Sequence, residues 1–291
     1  MKKIAKLLSL VIIVCIITLI SVTQFYAETV FYADGFAYTQ LHENYISICG
    51  WEGESDTVVI PQKLDGYFVK EIAGWAFSEK KSISSLEFGD ADYLDTIGSM
   101  SFKECTDVTA DLTIPPQIKK IGIGAFQGCN SFTTLYYNAT ASIPEQCFYS
   151  CSSLKTAVID DGVKSIGTLA FADCSALEFI RIPESVTSID QYAFENSTNV
   201  VLYCYKDSYV EQYAKDNGIS YEIIDPLYGD ANEDGDVNIL DVTFIQKYKI
   251  GTKAFASAYG EKCADVNKSG DVTIRDATLI QMKIAKIIEN F

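Results

Sequence analysis

The sequence has 291 residues, 39 acidic and 23 basic, giving a formal net charge of −16. Such a chain repels phosphate, so nucleic acid and anionic lipid are poor partners, and its only arginines, Arg181 and Arg275, leave little bidentate phosphate or carboxylate recognition. One histidine, His42, argues against a Ser–His or Cys–His catalytic pair and excludes a multi-histidine metal site.

Residues 1–27 read as an export signal: Lys2, Lys3 and Lys6 precede an uncharged apolar run over 7–20, and Ala27 ends the signal. The alternative is an uncleaved anchor, because the uncharged stretch continues to Gln24, although a spanning helix wants about 20 apolar residues. That anchor is the only membrane association the sequence offers. Residues 36–41 and 45–51 alternate in polarity around His42-Glu-Asn44 and read as a hairpin with His42 in its turn. The hairpin leads into a strand at 57–61 and makes 28–56 an N-terminal cap.

A repeat then takes over. Phe77, Phe102, Phe126, Phe148, Phe171 and Phe194 recur at intervals of 25, 24, 22, 23 and 23. Five residues before each stands Ile72, Ile97, Ile121, Ile143, Ile166 or Ile189. Three after come Cys105, Cys129, Cys151 and Cys174, with Lys80 and Ser197 in the end copies, and six after comes an apolar residue. A short alternating strand follows each time. One such coil of about 23 residues buries no core alone, but stacked coils share one. Ala76, Ser101, Ala125, Cys147, Ala170 and Ala193, each before a Phe, are small enough to pack inside the turn.

The segment Ile166-Gly-Thr-Leu-Ala-Phe-Ala-Asp-Cys-Ser-Ala-Leu177 carries every signature position of this repeat, which resembles the BspA-like leucine-rich repeat family. The resemblance covers about 57–224 and implies a solenoid of short strands and turns, with repeats over 57–205. A helix at 208–217 stopped by Gly218, then a strand at 219–224, make 206–224 a C-terminal cap. Outward strand positions Glu87, Thr113, Tyr136 and Arg181, with Phe179 one step away, form a candidate surface for a protein or carbohydrate ligand. Eight cysteines follow the signal, an even number compatible with disulfides in an exported chain. Four of them share one repeat position, which favours free buried thiols; mass spectrometry without reduction separates the two readings. No C-x-x-C pair exists to hold zinc.

Asp225-Pro226 marks the change of composition and the domain boundary. Residues 28–224 hold 28 acids against 12 bases, whereas 225–291 hold 11 against 8, so most of the negative charge sits on the repeats. Residues 230–250 and 265–285 form a second duplication, identical at 10 of 21 positions. The first copy opens Asp230-Ala-Asn232-Glu-Asp234-Gly235-Asp236-Val-Asn238-Ile-Leu-Asp241, the second Asp265-Val-Asn267-Lys-Ser269-Gly270-Asp271-Val-Thr273-Ile-Arg-Asp276. Oxygen-bearing residues at positions 1, 3, 5, 9 and 12, with glycine at 6, suit a calcium ion, which takes about six to eight oxygens. Position 7, Asp236 or Asp271, contributes its carbonyl, and position 9, Asn238 or Thr273, acts directly or through water. An apolar helix pattern follows each loop. Ser269, in place of an acid, predicts a weaker second site.

This paired loop–helix resembles a type I dockerin over about 228–288. The resemblance implies a small, mainly helical domain at 225–291 with two calcium ions and a cohesin partner, as in cellulosome assembly. It also implies cohesin contacts at loop positions 10 and 11 and helix positions 17 and 18. These are Ile239, Leu240, Gln246 and Lys247 in the first copy and Ile274, Arg275, Gln281 and Met282 in the second. Many relatives carry Ser-Thr at the first pair, so cohesin specificity is not given by the resemblance. The expected molecule is thus an α+β repeat architecture, exported and non-catalytic, since the repeats leave no room for a catalytic fold; a polysaccharide hydrolase using a pair of the many carboxylates is the lesser alternative.

Overall fold

The computed structural model describes residues 29–224, 227–232, 236–255 and 258–291, with backbone alone for Ala258 and Tyr259. The expected signal at 1–27, the boundary at Asp225-Pro226 and the candidate ligand Asp234 lie outside these residues. The repeats and the C-terminal helices lie within one compact unit, Tyr32–Phe291.

After β1 (Val30–Ala33), β2 (Phe36–His42) and β3 (Tyr45–Trp51) form the expected antiparallel hairpin. His42 pairs with Tyr45, so Glu43 and Asn44 alone make the turn and His42 ends a strand instead of lying in the loop. Its ring meets Tyr45 edge-on at 5.0 Å. Past β4 (Thr57–Val59) and β5 (Lys63–Leu64), β3 pairs in parallel with β6 (Tyr67–Ile72), so the hairpin covers the edge that the first coil would expose.

The coils then contribute two sets of short strands. One set is β8 (Thr96–Ile97), β10 (Lys120–Ile121), β13 (Ser165–Ile166) and β15 (Ser188–Ile189). The other is β7 (Ser85–Glu87), β9 (Leu112–Ile114), β11 (Thr134–Tyr137), β12 (Thr156–Ile159), β14 (Phe179–Arg181) and β16 (Val201–Cys204). The six phenylalanines are buried and stack, with centroids 4.9 to 5.7 Å apart and planes within 15°. Burying such a ring stabilises by roughly 1.5–3 kcal/mol, and ring pairing adds roughly 0.5–1.5 kcal/mol. Cys105, Cys129, Cys151 and Cys174 each donate an S–H to the phenylalanine carbonyl one coil earlier, at 3.0 to 3.3 Å. Ser197 continues the column with its hydroxyl, 2.7 Å from the Phe171 carbonyl. The repeated cysteines form no disulfide, and the column gives their thiols partners.

Two turn positions are left-handed in each of the first five coils and one in the sixth. Two residues before the ring stand Trp75, Met100, Gly124, Gln146 and Leu169; two after stand Glu79, Glu104, Gly128, Ser150, Asp173 and Asn196. The coils also need glycine where backbones nearly touch. A Cβ on Gly122 would lie 2.2 Å from the Ser99 nitrogen.

The ladders break at two places that the sequence explains. Gly98, Gly122, Gly167 and Asp190 each donate a backbone N–H to the isoleucine carbonyl of the preceding coil, at 2.7 to 3.0 Å. Pro144 holds that position in its coil and has no N–H. The first ladder accordingly ends at β10, and Ile143 keeps only an isolated bridge to Ile166. In the second set, Leu112 lies ten residues after its phenylalanine, where Leu86 and Leu135 lie nine after theirs. That extra residue separates the β4–β7 pair from the six-stranded ladder that starts at β9.

The ladder closes with α1 (Tyr209–Asn217) and β17 (Ser220–Ile223), which adds in parallel to β16. Ser208 caps the helix by accepting from the Glu211 N–H, and Gly218 ends it at φ 65°. The C-terminal segment has its own core, in which Val242 and Ile245 of α2 (Ile239–Lys249) and Ala277 and Ile280 of α4 (Ile274–Ile284) are buried with Val266 and Val272. Between them lies α3 (Ala258–Ala264), a helix the sequence pattern does not announce, because it is seven residues long and contains Gly260. No described helix is long and apolar enough to cross a membrane.

Candidate functional site

The last residue of each loop organises it. Asp241 is fully buried; its Oδ1 accepts from the Asn232 N–H at 3.1 Å and its Oδ2 from the Asn238 N–H at 2.8 Å. Asn238 in turn accepts from the Leu240 N–H at 2.8 Å, so positions 9 and 12 form a reciprocal capping box that starts α2. The second loop repeats the device. Asp276, also fully buried, accepts at Oδ2 from the Thr273 N–H and hydroxyl, both at 2.8 Å, and at Oδ1 from Asn267.

In the second loop the first position is fixed as well. Asp265 accepts from the Ser269 N–H at 3.0 Å and the Gly270 N–H at 2.7 Å, and the Ser269 hydroxyl bonds to the Asp271 carbonyl at 3.2 Å. Asp230 is buried beside Asp241. Burial raises the Asp241 carboxyl above the usual carboxylate range and Asp230 pushes the same way, against the N–H groups of Asn238 and Asn232. Among the described residues no three Cys, His, Asp or Glu side chains form a cluster; besides carboxylates, the loop sequences supply amide, hydroxyl and carbonyl oxygens at Asn232, Asn267, Ser269, Asp236 and Asp271. An all-oxygen set around buried carboxylates fits a hard cation and suits neither a thiolate-bound nor an imidazole-bound metal.

The helices present the cohesin-contact candidates outward. Ile239, Leu240 and Ile274 are 55%, 56% and 53% exposed, although all three are apolar and lie in the first turn of their helices. Arg275, Gln246, Lys247 and Gln281 are exposed and Met282 is half-buried. Positions seven apart share a helix face, so Ile239 lies with Gln246 and Ile274 with Gln281. Packing inside the module therefore does not account for these residues.

On the solenoid, strand register places Thr113, Tyr136, Val158, Arg181 and Tyr203 side by side along one outward row. Phe179 lies in the adjacent row and packs against Tyr203, with ring centroids 4.2 Å apart. Glu87 sits on the separate β4–β7 pair and does not join this row. Val158 and Tyr203 were missed in the sequence. Val158 occupies the same offset from its phenylalanine as Tyr136 and Arg181, whereas Tyr203 is shifted because its coil is one residue shorter.

A repeat solenoid followed by two acid-closed loops, each starting a helix, defines a two-module chain. Residues 70–201 match the BspA type leucine rich repeat region in six copies, and residues 228–285 match the dockerin type I domain. The chain thus combines a BspA-type leucine-rich repeat region with a C-terminal type I dockerin domain. Among solved structures it is similar to a leucine rich cell surface protein from Faecalibacterium prausnitzii, at 22% identity and TM-score 0.50, over 61% of this chain and 55% of that one. It is also similar to a leucine-rich repeat protein from Eubacterium ventriosum, at 22% identity and TM-score 0.47, over 56% of this chain and 44% of that one. The chain therefore spans about half the length of these relatives. No curated protein matches it. The dockerin implies a cohesin partner, and type I dockerins typically bind calcium. Both modules are non-catalytic, no catalytic family matches, and proteins of these kinds are typically extracellular or surface-associated.

Proposed function

We propose that the chain is a secreted, non-catalytic component of a cellulosome-like assembly. The dockerin, residues 225–291, folds around two calcium ions and holds the chain on a cohesin-bearing scaffold. The repeats at 57–205, capped by 28–56 and 206–224, bind a protein partner within a polysaccharide-degrading system. One observation carries this reading: apolar Ile239, Leu240 and Ile274 stand exposed beside the buried acids that close the loops. Exposed apolar side chains held by a metal-folded element are the features of a protein interface. The test is binding to an array of cohesins with and without chelator. Calcium-dependent capture by at least one cohesin is expected, and failure to bind any in calcium would sink the assembly reading.

A second reading for the solenoid, carbohydrate targeting, draws on Tyr136 and on the Phe179–Tyr203 pair, whose rings lie outward on one sheet. Retention on insoluble polysaccharide, lost in a Tyr136→Ala/Tyr203→Ala variant, would favour it over protein binding.

A further inference from the structure

Every coil but the last satisfies the next one's backbone at the phenylalanine turn. The amides of Phe77, Phe102, Phe126, Phe148 and Phe171 donate to the carbonyl just before the next coil's phenylalanine, at 2.7 to 2.9 Å. The amides two residues on, at Glu79, Glu104, Gly128, Ser150 and Asp173, donate to the carbonyl just after it, at 2.7 to 2.9 Å. The phenylalanine carbonyl takes the thiol or hydroxyl described above. In the sixth coil all three groups lose this partner. The amides of Phe194 and Asn196 find no acceptor among the described residues, and the Phe194 carbonyl receives only the Ser197 N–H of its own turn.

The C-terminal cap does not close this side. It replaces the missing strand with β17 and the missing ring with Tyr213, whose centroid lies 6.4 Å from that of Phe194. Between residues 194–200 and residues 218–220 it leaves a notch of about 270 Å³. Buried Phe194 and Val200 line it, and exposed Asn196 and Thr198 form its rim.

We propose that this notch is a binding site for an extended segment of a partner protein, which enters as the turn of a seventh coil. The five stacked turns specify its chemistry. It offers two backbone carbonyls two residues apart to the Phe194 and Asn196 amides. It carries a Cys, Ser or Thr two residues beyond the second carbonyl, donating to the Phe194 oxygen. A small residue replaces the aromatic one, because Tyr213 already covers the Phe194 ring. The surface continues the coil–coil interface, and main-chain pairing supplies affinity as in strand addition. The proposal rests on the solenoid being a protein-binding module but uses a different surface from the Tyr136 row.

The test uses the full chain in calcium and the capped peptide Ala-Gly-Ala-Asp-Cys-Ser-Ala-Leu, the chain's own fifth turn with glycine in place of Phe171. Without peptide, the Phe194 and Asn196 amides should exchange with solvent at least tenfold faster than those of Phe171 and Asp173. Adding peptide to millimolar concentration should shift the Phe194, Asn196 and Ile219 amide resonances and slow their exchange. Thr198→Trp, which fills the notch rim, should abolish these shifts while leaving the melting temperature and cohesin capture unchanged. Protection of both amides in the free chain would overturn the proposal, as would absent or scattered shifts. Concentration-dependent protection without peptide would assign the notch to a second copy and overturn it too. Loss of cohesin capture in the unmodified chain would count against the assembly reading and leave the notch untouched.

Discussion

The thiol of Cys151 is fully buried in the stack, and its hydrogen goes to the Phe126 carbonyl at 3.3 Å. Burial pushes Cys151 well above a normal thiol and raises Cys174 to about 12; Cys129 is raised by its bond with Cys105 and by burial. A thiol in the unfolded chain titrates near about 8.5. A group whose proton is held more tightly in the folded state contributes stability in full below the unfolded value and loses it as pH rises toward the folded one. The solenoid's melting temperature should therefore fall between pH 8 and pH 11. A Cys151→Ser variant, which keeps the donor as Ser197 does, should show a shallower fall. An equal slope in both proteins would refute the thiol origin. At the same scale, Ser269 is the residue that separates the two loops, because an acid there would add charge beside Asp265. Ser269→Asp should tighten the second calcium site by about tenfold without altering the first, as read by calorimetry. Two sites of equal affinity in the unaltered chain would refute the asymmetry.

Among the elements, α2 and α4 are near copies in sequence and environment. Each starts at a capping box and bares an apolar first residue. Such duplication makes two binding modes available, one led by Ile239-Leu240 and the other by Ile274-Arg275. Changing Ile239 and Leu240 to alanine should weaken cohesin binding less than about tenfold if both modes operate, since losing one of two equivalent modes costs only about twofold. Changing Ile239, Leu240, Ile274 and Arg275 together should abolish it. Surface plasmon resonance would show this, and complete loss from the first pair alone would establish a single mode. These helices were legible in the sequence because the loop spacing and the apolar period agree on where each begins. The coils were legible for a similar reason: six phenylalanines in one register leave little freedom to the strands between them. What escaped depended on local counts that a repeat pattern averages out. The extra residue before Leu112 splits a sheet, and the short sixth coil moves Tyr203 into line with Arg181. Helix α3 was invisible because its stability comes from buried Cys263 and Ala264 packing under tertiary constraint, not from its own periodicity.

Across the whole molecule, most of the described buried apolar residues fall into two separate clusters, one from Phe36 to Ala214 and one from Ala231 to Ile280. The second cluster is small, and the carboxylates closing its loops are buried, so it depends on the cation far more than the solenoid does. Chelation should remove a helical contribution from the far-ultraviolet circular dichroism while the solenoid's own unfolding transition stays within a few degrees. A single transition that shifts as a whole with calcium would contradict this independence. The left-handed turns have a different consequence, for how the chain tolerates change. At the position two before the ring, Trp75, Met100 and Leu169 adopt a conformation that costs a side-chain-bearing residue about 1–2 kcal/mol and glycine almost nothing. Gly124 already makes that choice in one coil. The solenoid thus holds unspent thermal headroom in its turns, and losses of stability incurred on its outward faces while it acquires new ligands can be offset there without disturbing either the ring stack or the faces themselves.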